Sequence, residues 1–85
     1  MKRWSTEHMR TGPGLDRLTV RHRLQIGPGK WTTVATVVET TDGRWMAADV
    51  WGNRAGQYGA EKSLAKAKAN AVAWVEAEAS WGVPW

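Results

Sequence analysis

The sequence predicts an α+β fold in which a three-stranded antiparallel meander packs against one C-terminal helix (β-β-β-α). Three observations predict it: residues 17–26 alternate between apolar and polar side chains, two turn sequences follow at 27–29 and 41–43, and an alanine-rich segment occupies 60–79. Strands joined by short turns pair antiparallel, and the apolar side of a helix must then cover one face of the sheet. We expect a basic N-terminal arm at 1–14, closed by a Gly-Pro-Gly turn sequence, and one domain at 15–85.

The first predicted strand, 17–26, has one apolar and one cationic face. Successive side chains of a strand point to opposite faces. The even positions are Leu18, Val20, His22, Leu24 and Ile26, and the odd positions are Arg17, Thr19, Arg21, Arg23 and Gln25. We expect the even set, including a hydrogen-bonded His22, to be buried and the odd set to face away from the helix.

Two further strands are predicted at 31–41 and 44–51, because Gly27-Pro28-Gly29 and Thr41-Asp42-Gly43 are hairpin sequences. Even positions 46, 48 and 50 of the third strand are apolar and compact, so its odd positions, with Trp45 and Trp51, are expected to face outward. The second strand carries apolar residues at both parities, so the opposite assignment, with the tryptophan face in the core, stays open.

The predicted helix, 60–79, has one apolar side and one polar side. Alanine favours helix and allows close approach to a sheet. At 100° per residue the apolar side comprises Leu64, Ala67, Ala71, Trp74 and Val75, and the opposite side carries Lys62, Lys66 and Asn70. Ser80, Gly82 and Pro84 are expected to end the helix.

The composition favours an anionic partner. The chain has a net charge of +4, and residues 1–30 hold seven Lys or Arg against two acidic residues. Such asymmetry predicts nucleic acid as the first partner, although a soluble protein of high pI is the alternative. Without cysteine, a secretory leader or a membrane-length apolar run, we expect a cytoplasmic protein with no membrane association.

The sequence contains no motif that names a reaction. His8 and His22 lack metal-ligand spacing, and no nucleophile–base arrangement or carboxylate pair is recognisable. The glycine-rich segment 52–59 lacks the phosphate-loop and dinucleotide motifs. We therefore expect no enzyme activity, no metal and no cofactor.

The candidate binding surface combines arginines with indoles. A guanidinium stacks on an aromatic ring while offering N–H groups to phosphate or to guanine. Lysines near the helix N-terminus add further cationic groups. The predicted binding residues are Arg17, Arg21, Arg23, Trp31, Trp45, Trp51, Lys62 and Lys66. Pairing between sheet edges of two copies would also allow a homodimer.

Two local resemblances also indicate nucleic-acid binding. Gly29-Lys30-Trp31, Arg44-Trp45, Tyr58 and the helix alanines resemble the AP2 and integrase arm-type DNA-binding domains, which read the major groove from a three-stranded sheet. That resemblance implies DNA in preference to RNA. The segment Lys62-Ser63-Leu64-Ala65-Lys66 is similar to the opening of the last helix of double-stranded-RNA-binding domains.

A further class of proteins matches this chain in size and general character but shares no motif with it. Small sheet-plus-helix phage proteins, including anti-CRISPR proteins, bind a host protein or nucleoprotein complex. A surface rich in tryptophan and arginine suits that role as well. Seven tryptophans and the apolar tail from Trp81 to Trp85 favour this alternative.

Overall fold

The computed structural model describes residues 2–10 and 18–80, and these form an antiparallel sheet of four strands with one helix. The strand order is β1-β2-β3-β4. The elements are β1 (Lys2–Arg10), β2 (Leu18–Ile26), β3 (Thr32–Glu39), β4 (Trp45–Ala48) and α1 (Leu64–Ser80). The α+β class, the antiparallel meander and the C-terminal helix are confirmed, but the predicted number of strands is wrong. In the described part of the chain, no helix has both the length and the apolar character that a bilayer span requires.

The additional strand is β1, which lies where the basic arm was predicted. All nine of its residues pair with β2, from Lys2 opposite Ile26 to Arg10 opposite Leu18. Glu7 lies directly opposite Arg21, so the charges of this cross-strand pair are complementary. The predicted boundary between residues 14 and 15 lies outside the described residues.

One face of the sheet, called here the helix face, holds the core. Leu24 lies opposite Ala35, His22 opposite Val37, and Val37 opposite Ala47, so these side chains share that face. Alanines on both sides let the helix pack closely on β3 and β4. The buried residues of α1 that meet this face are Ala67, Ala71 and Val75.

The predicted orientation of the strand at 44–51 is wrong, because the odd-numbered residues of β4 face the helix. Ala47 is fully buried in the core, and the Trp45 ring lies 5.4 Å from the His22 ring, centroid to centroid. The bounds also differ: β4 ends at Ala48, so Trp51 belongs to the following loop. The pairing register shifts between Leu24 and Gln25 of β2, which gives β3 one extra residue there. Neighbouring Val34 and Ala35 therefore both lie in the core, which explains the ambiguous alternation.

The second hairpin and the helix start show how local sequence sets the boundaries. Gly43 has φ +83° and its N–H donates to the Thr40 carbonyl at 3.1 Å, as the Asp-Gly signal predicts for the glycine. The helix begins at Leu64 rather than 60, because Ser63 caps it by accepting the Lys66 N–H at 3.3 Å. Glu61 instead pairs through its backbone with Trp45.

The placement of Trp4 predicts that β1 contributes to stability. Trp4 packs against the core, and the Lys68 ammonium lies 5.1 Å from its ring centroid. Because Trp4 is half-buried, Trp4→Ala should lower the free energy of unfolding by about 2 kcal/mol, below the cost for a fully buried indole. Urea unfolding followed by circular dichroism measures this change.

The matched control is Trp51→Ala, which removes an indole that is 82% exposed. It should change the free energy of unfolding by less than about 0.5 kcal/mol. Equal effects of the two substitutions would contradict the packing of β1 described above.

Candidate nucleic-acid interface

The sheet face opposite the helix carries a cationic cluster on β1 and β2. Alternation places three residues of each strand there, and the register sets Arg3 opposite Gln25, Ser5 opposite Arg23, and Glu7 opposite Arg21. We call this surface the outer patch. It comprises Arg3, Ser5, Glu7, Arg21, Arg23, Gln25 and the adjoining Trp31.

Glu7 is the acidic centre of the outer patch. Arg21 donates to Glu7 Oε2 from Nη2 at 2.6 Å and from Nε at 3.2 Å, and Arg23 Nη1 lies 3.8 Å from the same oxygen. The hydrogen bond and charge of Arg21, with a smaller effect of Arg23, hold the pKa of Glu7 below its usual value against an opposing desolvation. The carboxylate is therefore ionised at neutral pH, and the patch combines three arginines with one negative charge.

Trp31 joins the outer patch through Arg3. The Arg3 guanidinium lies 4.1 Å from the Trp31 ring centroid, while its Nε donates to Gln25 Oε1 at 3.3 Å. The indole also packs on Gly27, where an added Cβ would meet the ring at 3.1 Å. A guanidinium stacked in this way keeps N–H groups that can bind an anion.

Two polar atoms of the outer patch are buried without a hydrogen-bond partner among the described residues. They are Ser5 Oγ and Arg23 Nε, and their residues face each other across β1 and β2. Buried donors and acceptors cost free energy when they stay unpaired. The two groups therefore have unmet hydrogen-bonding capacity within the described part of the chain.

The structure brings together only part of the predicted site. Arg21, Arg23 and Trp31 share the outer patch. Trp45 lies on the helix face. Lys62 precedes α1 and Lys66 lies in its first turn, and Arg17 lies outside the described residues.

Sequence reasoning missed Arg3 and Glu7, because their segment was interpreted as an arm. The segment gives little alternation signal, because both of its faces carry charged or polar side chains: Lys2, Thr6 and His8 on one face and Arg3, Ser5 and Glu7 on the other.

Trp51 belongs to a second surface, an apolar groove of about 440 Å³ between one end of the sheet and the helix. The Asp49 carboxylate accepts the N–H groups of Trp51 at 2.9 Å and Asn53 at 3.0 Å, which fixes the loop at its rim. We call this surface the tryptophan groove. Its lining residues are Ile26, Thr32, Thr33, Val34, Asp49, Val50, Trp51 and Trp74.

His22 is buried and hydrogen-bonded, as the sequence predicts. Its Nδ1 shares a hydrogen bond with the Thr6 hydroxyl at 3.2 Å. Burial lowers the pKa of His22, and the nearby charges of Lys68 and His8 lower it further. Among the described residues, no group of three or more His, Asp or Glu side chains could hold a metal ion.

Comparisons with protein-family models, with curated proteins and with solved structures find no match to this chain. The resemblances to the AP2 and integrase domains, to double-stranded-RNA-binding domains and to phage inhibitors therefore stay predictions.

The lowered pKa of His22 predicts a pH-dependent stability. The unfolded chain takes up a proton near pH 6.5, the ordinary value, before the folded chain does. The free energy of unfolding should therefore be constant above that pH and should fall as the pH drops below it. Urea unfolding between neutral pH and about pH 5 measures the slope, at pH values where Glu7 and Asp42 stay ionised.

The variant His22→Gln should lose this slope, since glutamine does not titrate. The control His8→Gln should keep most of it, because His8 is exposed and only adds to the charge near His22. A wild-type slope that persists in His22→Gln would contradict the assignment.

Proposed function

We propose that the protein is a small non-enzymatic module that binds nucleic acid through the outer patch. The observation that carries the proposal is the placement of Arg3, Arg21 and Arg23 on one face that the helix leaves uncovered, beside the Trp31 indole. Arginines grouped in this way bind phosphates and base edges. The resemblance to the AP2 and integrase domains favours DNA over RNA, and a cytoplasmic location agrees with that partner.

The position of the helix leaves the outer patch open. The helix packs mainly on β3 and β4 and meets β1 through Trp4 and Lys68, so it covers only the face opposite the outer patch. The exposed face of β1 and β2 can therefore lie against a nucleic acid. In this arrangement Arg21 and Arg23, two positions apart on one strand, would lie along a single phosphate backbone.

Glu7 and Trp31 give the arginines defined positions. The Nε and Nη2 groups of Arg21 are engaged by Glu7, which leaves Nη1 for an anion. Arg3 is held over Trp31 by stacking and by its bond to Gln25. A base or sugar that reaches the patch would pack on the exposed part of the indole.

The first test replaces both β2 arginines. Arg21→Gln/Arg23→Gln should weaken binding to nucleic acid at least about tenfold and reduce the slope of log K against log salt by about 2, because two phosphate contacts are lost. Fluorescence anisotropy with labelled duplex DNA, single-stranded DNA and duplex RNA at several salt concentrations measures both quantities.

Two controls sharpen this test. Lys66→Gln removes one charge from the helix side and should leave the salt slope almost unchanged. Glu7→Gln removes the negative charge of the patch and should strengthen binding several-fold at low salt. If the wild type binds none of the three nucleic acids at low salt, or Glu7→Gln weakens binding, the proposal is wrong.

A second candidate function is a phage-type inhibitor or adaptor that binds a host protein or nucleoprotein complex. The observation that favours it is Trp51, which is 82% exposed at the rim of the tryptophan groove. Indoles are frequent at the energetic centres of protein interfaces. This function uses a surface separate from the outer patch.

Pull-down from nuclease-treated host lysate separates the two candidates. Wild type and Arg21→Gln/Arg23→Gln should both retain a protein partner of the tryptophan groove. With Trp51→Ser the amount of that partner recovered should fall at least about tenfold. Retention by Trp51→Ser, or loss after nuclease treatment alone, would count against this second function.

A further inference from the structure

The two edges of the sheet differ in whether their backbone is paired. Along β4, Trp45 exchanges hydrogen bonds with Glu61 at 2.8 and 2.7 Å, and the Ala47 carbonyl accepts the Ala55 N–H at 3.1 Å. The loop thus covers the β4 edge. β1 pairs only with β2 within residues 2–10 and 18–80, and no backbone group of those residues bonds to its other side.

The β1 edge is also long and regular. Its pairing with β2 runs for nine residues with no register shift, and the segment contains neither proline nor glycine. Natural edge strands are protected from pairing by a bulge, a proline, a cover or charged side chains. β1 has no bulge or proline, and its charged side chains Arg3 and Glu7 in the outer patch carry opposite signs, so a second chain can meet each of them with the complementary charge.

We propose that the partner is a second copy of this chain, paired antiparallel along β1 with Ser5 facing Ser5 across a two-fold axis perpendicular to the sheet. The inference goes beyond the proposed function and shares Arg3 and Glu7 with it. It produces a continuous sheet of eight strands, with both helices on one side and both outer patches on the other. The interface is isologous, because each copy contributes the same strand.

Charge complementarity selects this register. With Ser5 on the axis, Arg3 of each copy lies opposite Glu7 of the other, which gives two cross-strand ion pairs of opposite charge. With Thr6 on the axis, Lys2 would face Arg10 and Glu7 would face Ser5. With Glu7 on the axis, two carboxylates would meet.

The atoms of the outer patch fit the same register. The arginine contacts of Glu7 in the described part of the chain all end on Oε2, so Oε1 can accept from Arg3 of the second copy. The buried Ser5 hydroxyl has no described partner. On the two-fold axis each Ser5 hydroxyl would lie beside the other, where one can donate and the other accept.

The first experiment uses a single introduced cysteine, since the chain has none of its own. Directly opposed residues of an antiparallel pair have Cα atoms about 4.5–5.5 Å apart, within the range that a disulfide spans. Ser5→Cys should therefore oxidise to a covalent dimer. Thr6→Cys should remain monomeric on a denaturing gel. In this register Thr6 lies opposite Trp4 of the second copy, and the Thr6 of that copy is two residues further along its strand.

The second experiment measures association without nucleic acid, by sedimentation equilibrium across a range of protein concentrations. Wild type should shift from monomer to dimer as its concentration rises. Ser5→Lys sets two ammonium groups opposite each other and should raise the dimer Kd about a hundredfold. Ser5→Thr and the loop variant Gln57→Lys should keep the wild-type Kd, and circular dichroism checks that each variant folds.

Several results would overturn the proposal. These are a wild type that stays monomeric at every concentration, a folded Ser5→Lys that dimerises like wild type, or crosslinking of Thr6→Cys in place of Ser5→Cys. Because no nucleic acid is present, failure here leaves the anisotropy test of the outer patch unaffected. A failure of nucleic-acid binding equally leaves the dimer test intact.

Discussion

The pairing of β1 with β2 is the constraint on which the outer patch, the open sheet edge and the site of Trp4 all depend. Little apolar surface holds β1, because among its described side chains only Trp4 packs against the core. Backbone pairing over nine residues therefore carries most of the attachment, and Glu7 adds a cross-strand contact with Arg21. Partly exposed ion pairs contribute little on average, so the value of this contact lies mainly in setting the geometry of the arginines.

Glu7 has two opposing consequences for the outer patch. It relieves the repulsion between the Arg21 and Arg23 guanidinium groups and so permits both on one face of β2. It also reduces the net positive charge that a phosphate backbone would meet. In the proposed dimer, Glu7 lies opposite Arg3 of the second copy, so one carboxylate contributes both within a chain and between chains.

The sequence predicts the parts of this fold that local alternation and turn chemistry determine. Arg21 and Arg23 could be assigned to one face because β2 alternates cleanly, and Gly43 marked its turn. The orientation of Trp45 could not be predicted, since β4 is apolar on both faces and only its register with β3 sets Ala47 opposite Val37. β1 was missed because its charges suggested a solvated arm, whereas strand pairing depends on contacts distant in sequence.

Three of the tryptophans lie in two chemically different surfaces, the cationic outer patch and the apolar tryptophan groove. Trp31 is stacked on a guanidinium in the outer patch, where an indole would complement arginine in the proposed binding of bases. Trp51 and Trp74 instead line an apolar groove next to the helix, where indoles would suit the proposed protein partner. Because the outer patch and the tryptophan groove share no residue, the two proposed functions are physically compatible. A partner that is itself a nucleoprotein complex would use both surfaces at once.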